Sequence, residues 1–406
     1  MKLKFFVLLL IPALVPLFAE PLYSPAWGFR LDLPEGYVLS GGNGRDRFSF
    51  AGPDGAQFEL AAYAGTYKTL KNLVDDASRR LRSQGDVTYF EYGDKLAALL
   101  ELRFGDSAGW GLCVELAAPA VGDNAPANKN LPMLLALSYG PAGRKDMDLF
   151  HMSALDSIAP SEAERRCPGP IMEFGYPRGE LQETALALPG VRALIRKNDA
   201  EAAQALVDRE FALLRKYLSA DNWQEAWARF YRTVYRDSWD RLADAVFQLE
   251  RNWNVSVGNA ARNAGAAGRG PVSANETDRS LAETAQSERA LAEKALAWVQ
   301  TFKYERDLMG SDFVNLVSAV TEGRGDCDSR AMLWALILAQ ADIPAAIMVS
   351  REHSHAMGLA NIAGTGARFE AKGTKWLVAE TTANVSLGLI GQNVSNIDSW
   401  LGVIFE

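Results

Sequence analysis

Apolar and polar residues alternate along much of the first third of the chain, which is the period of strands with one buried face. Phe48 and Phe50 follow this pattern, the turn Pro53-Asp54-Gly55 comes next, and a second alternating run begins at Phe58. Two such runs joined by a short turn containing glycine predict a β-hairpin. Further strands are expected near 87–92, 96–103, 109–118 and 132–139.

The same part of the chain also holds two helical patterns. Apolar residues recur at helical spacing from Leu70 to Leu81, and the run from Met147 to Ile158 is typical of a shorter helix. Residues 20–160 are therefore predicted to form an α+β domain with an antiparallel sheet and flanking helices. The order of these elements resembles the PsbP-like fold, and no motif carries residue roles over from it. We expect a binding or positioning role for this domain.

The composition changes twice in the middle of the chain. Residues 161–179 are rich in proline and glycine, which is typical of a linker, and 180–253 are predicted to be helical, with Pro189-Gly190 breaking the first helix. Aromatic residues recur there at helical spacing, which favours helix–helix packing; an aromatic groove for a peptide or glycan is the alternative. Residues 254–280 are rich in Asn, Ala, Gly and Ser and are predicted to be a flexible linker.

One short stretch in the last third carries the candidate chemistry. The residues from Gly323 to Asp326 predict a tight turn, and the apolar run after Cys327 predicts a helix that begins at or near the cysteine. The N–H groups and the dipole at a helix start favour a thiolate, so Cys327 is a candidate nucleophile; the alternative is a buried, inert cysteine. Asp326 and Asp328 are expected to cap the helix or bond the turn. Asp328 is not expected to point at the sulfur, because a neighbouring negative charge disfavours the thiolate.

Two histidines and a carboxylate follow downstream. His353 and His355 lie two residues apart, so on a strand they share a face and compete for the role of base. Glu380 ends the apolar run that begins at Trp376, where a buried carboxylate needs a partner, and an imidazole N–H would supply one. The alternative is that Glu380 faces solvent at the strand end. A cysteine, a histidine and a carboxylate are the parts of a nucleophile, its base and the group that orients the base.

These residues resemble the transglutaminase-like superfamily of papain-related cysteine enzymes. The matching motifs are, in chain order, Gly323-x-Gly325-x-Cys327, Ile343-Pro344-Ala345, His355-Ala356 and Trp376-x-x-x-Glu380-Thr381. The resemblance covers residues 281–406 and implies a papain-related α+β domain with Cys327 as nucleophile, His355 as base and Glu380 holding the imidazole. It selects His355 over His353, since the family histidine is followed by a small residue. The family's usual third member is aspartate, so Glu380 departs from the pattern by one methylene.

Composition and charge narrow the remaining possibilities. The chain has 406 residues, enough for two or three domains, and a formal net charge of −8 without a clustered basic stripe, which argues against binding to nucleic acid. Residues 1–19 have the charged start, apolar run and small final residue of an export signal; an uncleaved anchor is the alternative. We therefore predict an exported protein, periplasmic or secreted, with no membrane span after signal removal. Its oligomeric state is left open.

The chain contains three cysteines, Cys113, Cys167 and Cys327. In an exported protein a disulfide between Cys113 and Cys167 is conceivable and would leave Cys327 as the free thiol; the sequence leaves this open. His353, His355 and Cys327 do not complete a zinc set of the usual spacing. We therefore predict no metal and no cofactor.

The predicted function is that of an exported transglutaminase-like cysteine enzyme. It would act on amide bonds of proteins or peptides, including the peptide part of a cell-wall polymer, as a hydrolase (protease or amidase) or by transfer to an amine. Backbone N–H groups at the helix start are the default oxyanion donors, with Gln300 and Tyr304 as side-chain candidates. The alternative from a different class is a catalytically inactive fold that serves as a protein-interaction or scaffold module.

Overall fold

The computed structural model of the protein describes residues 21–116, 130–255, 274–305 and 311–405, without the side chains of 274–281. The predicted export signal, and residues 256–273 of the predicted flexible linker, lie outside the described residues. The described chain mixes helices and strands, which agrees with the predicted α+β class. In that part of the chain, no helix is both long enough and apolar enough to cross a membrane.

The helices and strands are numbered in chain order. The helices are α1 (Leu70–Leu81), α2 (Asp148–Asp156), α3 (Pro170–Gly175), α4 (Asp199–Tyr217), α5 (Trp223–Arg241), α6 (Ala243–Trp253), α7 (Ala274–Val299), α8 (Leu316–Glu322) and α9 (Cys327–Gln340). The strands of the first half are β1 (Leu22–Tyr23), β2 (Arg30–Leu31), β3 (Val38–Gly42), β4 (Arg47–Ala51), β5 (Gln57–Tyr63), β6 (Val87–Tyr92), β7 (Lys95–Phe104), β8 (Ser107–Glu115), β9 (Met133–Pro141), β10 (Leu181–Ala185) and β11 (Arg192–Arg196). Those of the second half are β12 (Lys303–Tyr304), β13 (Arg324–Gly325), β14 (Ala345–Ser350), β15 (His355–Ala360), β16 (Arg368–Ala371), β17 (Thr374–Ala379) and β18 (Leu401–Val403).

The first half of the chain is organised around a seven-stranded antiparallel sheet in the order β3-β4-β5-β9-β8-β7-β6. The predicted hairpin is present, with Phe50 of β4 opposite Phe58 of β5. Helix α1 is capped by Thr69, whose side chain accepts from the N–H of Asn72, and packs on one face of the sheet. Residues of α2 pack on the other face. The predicted strands and both flanking helices are confirmed, because the period of the buried positions follows the side-chain directions of each element.

The segment 161–179 is packed against the sheet region, although its composition predicts a linker. Helix α3 lies within it, and Ile171 and Met172 are buried. Their N–H groups donate to Oδ1 of Asp156 at 2.8 and 3.0 Å, so a carboxylate from α2 caps the start of α3. Proline and glycine here mark the start of a short helix, since proline fits its first turn.

The prediction that the helical region begins at 180 is wrong, because strands β10 and β11 form a hairpin there. Ala193 and Ile195 are buried while their neighbours point outward, which is the alternation of a strand. Gly190 has a φ of +79°, a conformation that favours glycine, so Pro189-Gly190 lies in the turn of this hairpin rather than in a helix break. Helices occupy the predicted region from Asp199 onward.

Helices α4, α5 and α6 share one hydrophobic cluster with the last third of the chain. The ring of Phe230 packs edge-on against that of Phe313 at 5.9 Å, and Tyr235 stacks on Phe405 at 4.2 Å. Phe230 of α5 also packs edge-on against Phe211 of α4 at 6.4 Å, which is the predicted helix–helix packing.

The last third contains a five-stranded antiparallel sheet in the order β16-β17-β15-β14-β18. Helix α9 packs on one face, where the ring of Trp334 lies directly over Gly358. Met357, Leu359 and Val378 belong to a separate cluster on the opposite face. Only residues 341–344 connect α9 to β14, so the helix and the strand run in opposite directions. The start of α9 therefore lies at the end of the sheet where β14 ends and β15 begins.

Candidate active site

Cys327 is the first residue of α9 and is 3% exposed. The side chain of Asp326 caps this helix, since its Oδ1 accepts from the N–H of Ser329 at 2.8 Å and from the hydroxyl at 2.7 Å. Gly323, with a φ of +66°, ends the preceding helix α8. The predicted turn and the predicted helix start at the cysteine are both present. The thiol is thus carried by the first turn of the helix, where backbone N–H groups have no partner within the helix.

Asp328 points toward the sulfur, contrary to the sequence prediction. Its Oδ2 lies 3.9 Å from Sγ of Cys327, a long contact for a thiol hydrogen bond. Its Oδ1 accepts from the hydroxyl of Tyr231 on α5 at 2.7 Å, which fixes the direction of the carboxylate. Burial, and then the neighbouring Asp328, raise the pKa of Tyr231 well above its usual value, so this hydroxyl stays a donor. The sequence could not show this contact because Tyr231 comes from a distant helix.

His355 and Glu380 are brought together at the same end of the sheet. Nε2 of His355 donates to Oε2 of Glu380 at 2.8 Å. The register explains the contact: Gly358 pairs with Ala379, so Glu380 follows the last paired residue of β17 and reaches the imidazole at the start of β15. With Nε2 bonded to the carboxylate, Nδ1 is the ring atom that can take a proton from a thiol. The catalytic roles of both residues stay predictions.

Glu380 is 6% exposed, so the alternative that it faces solvent is wrong. Its second oxygen, Oε1, accepts from the N–H of Thr382 at 2.8 Å and from the hydroxyl of Thr382 at 2.6 Å. Burial by itself raises the pKa of Glu380, but the hydrogen bond and charge of His355 and the bonds from Thr382 outweigh it, and the pKa lies below its ordinary value of 4.5. The carboxylate is therefore ionised and held at both oxygens. Sequence reasoning missed Thr382; the signal is a hydroxyl residue two positions after the carboxylate.

The thiol and the imidazole approach this end of the sheet from different faces. Ala356 belongs to the cluster that contains Cys327, whereas His355, its neighbour on β15, lies on the opposite face with Trp400, whose ring centroid is 6.2 Å from the imidazole. In the described residues the imidazole bonds Glu380, and Sγ contacts Asp328; the two groups are not hydrogen-bonded to each other. The structure thus assembles the histidine–carboxylate pair and places the thiol at the same end of the sheet, without a direct bond between them.

Arg330 lies within electrostatic range of both Cys327 and Glu380. It is buried one turn into α9 and donates to the carbonyl oxygens of Gly325 at 3.2 Å and Phe302 at 2.5 Å. Burial lowers its pKa, but a guanidinium remains charged at neutral pH. A fixed positive charge of this kind favours anionic forms of its neighbours. Sequence reasoning missed Arg330; the signal is an arginine directly before the apolar run of the helix, three residues after the cysteine.

The other side chains considered from the sequence have different partners. His353 exchanges a hydrogen bond with the hydroxyl of Ser399 at 2.9 Å and lies outside the histidine–carboxylate pair. Gln300 donates to the carbonyl oxygens of Glu380 and Val385 at 2.8 and 3.0 Å, so it holds the strand end rather than facing a substrate. Tyr304 is 49% exposed next to β13, and its ring lies 5.5 Å from the guanidinium carbon of Arg330.

All three cysteines are free thiols. Cys113 is buried within β8, and burial raises its pKa far above the usual value; burial also raises the pKa of Cys167. The conceivable Cys113–Cys167 disulfide is not formed. In the described part of the chain, no group of three or more His, Cys, Asp or Glu side chains is arranged to hold a metal ion.

Comparison of the whole chain with protein-family models and with curated proteins found no match in either case. The transglutaminase-like resemblance therefore stays a prediction that rests on the four short motifs.

Proposed function

We propose that this protein is an exported cysteine hydrolase that cleaves amide bonds of proteins or peptides with Cys327, His355 and Glu380. The observation that carries the proposal is the 2.8 Å hydrogen bond from Nε2 of His355 to a buried, ionised Glu380, at the end of the sheet where the helix of Cys327 begins. A carboxylate in this position fixes the ring and stabilises the imidazolium that forms when the ring accepts a proton. An inert cysteine needs no such pair near it.

The reaction follows from these roles. Nδ1 of His355 takes the thiol proton, Sγ of Cys327 attacks the carbonyl carbon of the amide, and the imidazolium returns the proton to the leaving amine. Water then attacks the thioester with His355 as base and releases the carboxylic acid. An amine in place of water gives transamidation, which is the second outcome of the same chemistry. The N–H groups at the start of α9 are the donors for the developing oxyanion.

Two further features bear on this chemistry. The positive charge of Arg330, in range of both Cys327 and Glu380, favours a thiolate and an ionised carboxylate. Formation of a bond between Sγ and the imidazole requires a local rearrangement, because Asp328 is the neighbour of the sulfur in the resting arrangement. Hydrogen bonds in free enzymes commonly tighten only when substrate binds.

A second candidate, a catalytically inactive interaction module, is favoured by a specific observation. Cys327 is 3% exposed and has a carboxylate oxygen 3.9 Å from its sulfur, which is the environment of a protonated, inert thiol. In this case the hydrogen bond between His355 and Glu380 would stabilise the end of the sheet and have no catalytic role.

Alkylation of the native protein separates the two candidates. Iodoacetamide labelling at pH 7, read for each cysteine by peptide mass spectrometry, should modify Cys327 faster than Cys167, although Cys167 is the more exposed. His355→Ala should slow the labelling of Cys327 and leave Cys167 unchanged. His353→Ala is the matched control, since His353 bonds Ser399 and is expected to change neither rate. If Cys327 is labelled no faster than in the urea-unfolded chain, and His355→Ala does not change that rate, the enzyme proposal is contradicted. The catalytically inactive interaction module would then be the remaining candidate.

Covalent trapping tests the reaction itself. Incubation with an activated ester should add one acyl group to the intact protein, and Cys327→Ala should abolish that mass increase. Release of the acyl group by water, compared with release in the presence of a primary amine, distinguishes hydrolysis from transfer. Absence of an adduct in the wild-type chain, under conditions that acylate a known thiol hydrolase, would count against any acyl-enzyme mechanism.

A further inference from the structure

A cavity of about 40 Å³ lies where the N-terminal sheet region, the segment 161–179 and helices α4 and α5 meet. Six arginines line it: Arg30, Arg165, Arg209, Arg229, Arg232 and Arg236. Two carboxylates, Asp32 and Asp156, share the lining. Positive charge therefore predominates in a small cavity that is partly open to solvent, which is an unusual environment unless the charge is compensated.

Arg209, Arg229 and Arg232 are compensated by carboxylates. The pairs are Arg232 with Asp32, Arg209 with Asp156 and Arg229 with Glu210, at 2.8, 2.5 and 2.6 Å. The pair of Arg232 is bidentate, since a second bond of 2.9 Å joins the same two side chains. These ion pairs hold the helices against the sheet region, and in each pair the carboxylate neutralises the charge of the guanidinium.

Arg165 and Arg236 differ, because within the described chain each donates only to neutral acceptors. Arg236 donates to the carbonyl oxygens of Asp156 and Ile158, both at 2.9 Å, and more weakly to the carbonyl oxygen of Glu164 at 3.4 Å and the hydroxyl of Tyr92 at 3.3 Å. Arg165 donates from Nη2 to the carbonyl oxygen of Gly28 at 3.3 Å, and its Nε is buried without a hydrogen-bond partner in the described residues. A guanidinium cannot lose its proton in a protein. Two positive charges thus face the cavity without a carboxylate of their own.

The volume of the cavity limits what can compensate these charges. A buried water needs roughly 10–15 Å³ of such space, so the cavity admits about three waters or one small anion. Guanidinium groups match tetrahedral oxyanions because their N–H groups donate in parallel pairs. We propose that this cavity binds a doubly charged tetrahedral oxyanion, either free phosphate or the terminal phosphate of a small organic molecule. The proposal does not depend on the proposed function.

Binding would join two parts of the chain, since Arg165 belongs to the segment 161–179 and Arg236 to α5. An anion that binds only the folded arrangement raises the apparent stability of the protein. The full chain, dialysed free of phosphate, should therefore show a higher melting temperature in sodium phosphate than in sodium chloride of equal ionic strength. Isothermal titration calorimetry with inorganic phosphate gives the dissociation constant.

Arg165→Gln is the informative variant, because the Arg165 guanidinium donates to one carbonyl oxygen, that of Gly28, and otherwise lies over the ring of Tyr23 at 4.5 Å. We expect its phosphate dissociation constant to rise at least tenfold, the effect of losing one or more charge-assisted hydrogen bonds. Arg165→Lys keeps the positive charge but not the paired N–H groups of the guanidinium, so its phosphate affinity should fall less than that of Arg165→Gln. This graded loss would show that the effect of Arg165→Gln does not come from misfolding. Arg103→Gln removes an exposed arginine paired with Glu101 and is the matched control with unchanged binding.

The outcomes are separable. Competition of glycerol 3-phosphate with inorganic phosphate would assign the site to a phosphorylated molecule, and failure to compete would assign it to the free anion; both support the oxyanion site. No heat and no stabilisation with either compound would overturn the proposal. Equal phosphate affinity in wild type, Arg165→Gln and Arg103→Gln would also overturn it, since binding would then lie elsewhere.

Discussion

Substitution of Gly358 by alanine tests the contact that fixes helix α9 on its sheet. A Cβ at position 358 would lie within 2.6 Å of Cζ3 of Trp334, and closer still to Cε3. Trp334 is completely buried, and its indole N–H donates to the carbonyl oxygen of Ala292 on α7 at 3.0 Å. The ring therefore cannot move aside without losing this bond and disturbing its packing against α7.

The expected loss in the free energy of unfolding combines three effects. Overpacking of a close-packed core costs about 1–3 kcal/mol. Displacement of the indole from its hydrogen bond costs about 1 kcal/mol more. The reduced backbone entropy of alanine in the unfolded chain returns about 0.5–1 kcal/mol. We therefore expect Gly358→Ala to destabilise the protein by about 2 kcal/mol.

The assay is urea unfolding followed by circular dichroism, together with hydrogen–deuterium exchange of peptides from α9 and β15. Gly175→Ala is the matched control, since no atom lies within 4 Å of a Cβ at that position, and we expect its unfolding midpoint to stay unchanged. In the Trp334→Leu background the clash is absent, so Gly358→Ala should cost little there. The double-mutant cycle should give a coupling of about 1–3 kcal/mol.

The reasoning fails if Gly358→Ala unfolds at the wild-type urea concentration. It also fails if the substitution costs the same with tryptophan or with leucine at position 334. Either result would mean that the helix does not approach β15 as closely as described. The position of Cys327 at the end of the sheet would then lose its support.

Three further predictions concern buried carboxylates and the polar side chains that bond to them. Because the pKa of Glu380 in the folded protein lies below 4.5, the carboxylate stabilises the fold fully above pH 4.5, and this stabilisation is lost as the pH falls through the folded pKa. The difference in unfolding free energy between wild type and Glu380→Gln, measured by urea unfolding, should therefore narrow on acidification. A difference that stays constant with pH would contradict the His355–Glu380 hydrogen bond. Thr382→Val removes the hydroxyl that donates to Glu380 and should lower the free energy of unfolding by about 1–3 kcal/mol, whereas Thr382→Ser keeps the hydroxyl and should lower it little. Equal losses for the two variants in the same assay would show that the hydroxyl does not contribute. Arg229→Met leaves Glu210 buried without one of its cationic partners and should cost about 3–5 kcal/mol. Arg103→Met on the surface should cost no more than about 1 kcal/mol, and comparable losses for the two arginines would contradict the burial argument.

The local elements were largely predictable, because their signals are short-range. The alternation around Pro53-Asp54-Gly55 predicted the hairpin of β4 and β5, and the turn at Gly323 with the apolar run after it predicted the start of α9. The hairpin of β10 and β11 was missed because its strands are short, and Pro189-Gly190 suits a helix break as well as a turn. A predicted linker at 161–179 proved packed, since composition does not show whether neighbouring elements cover a segment.

The sequence predicted which residues belong to the candidate site, but not all of the contacts between them. The order of Cys327, His355 and Glu380, with the residues around them, singled out three side chains, and the structure shows that two of them are hydrogen-bonded. Thr382 and Arg330 were missed, because their importance comes from which atoms they meet. The direction of Asp328 was predicted wrongly, since its partner Tyr231 lies on a helix far away in the chain.

The sequence by itself determined most of the helices and strands, the faces that they bury and the residues that can carry chemistry. These properties depend on neighbours within a few positions, through side-chain period, capping and turn conformation. Only the tertiary structure decided that Glu380 meets His355, that Asp328 faces the sulfur and that Arg165 and Arg236 line one cavity. Those contacts depend on strand register and helix packing between residues far apart in the chain. No local pattern encodes them.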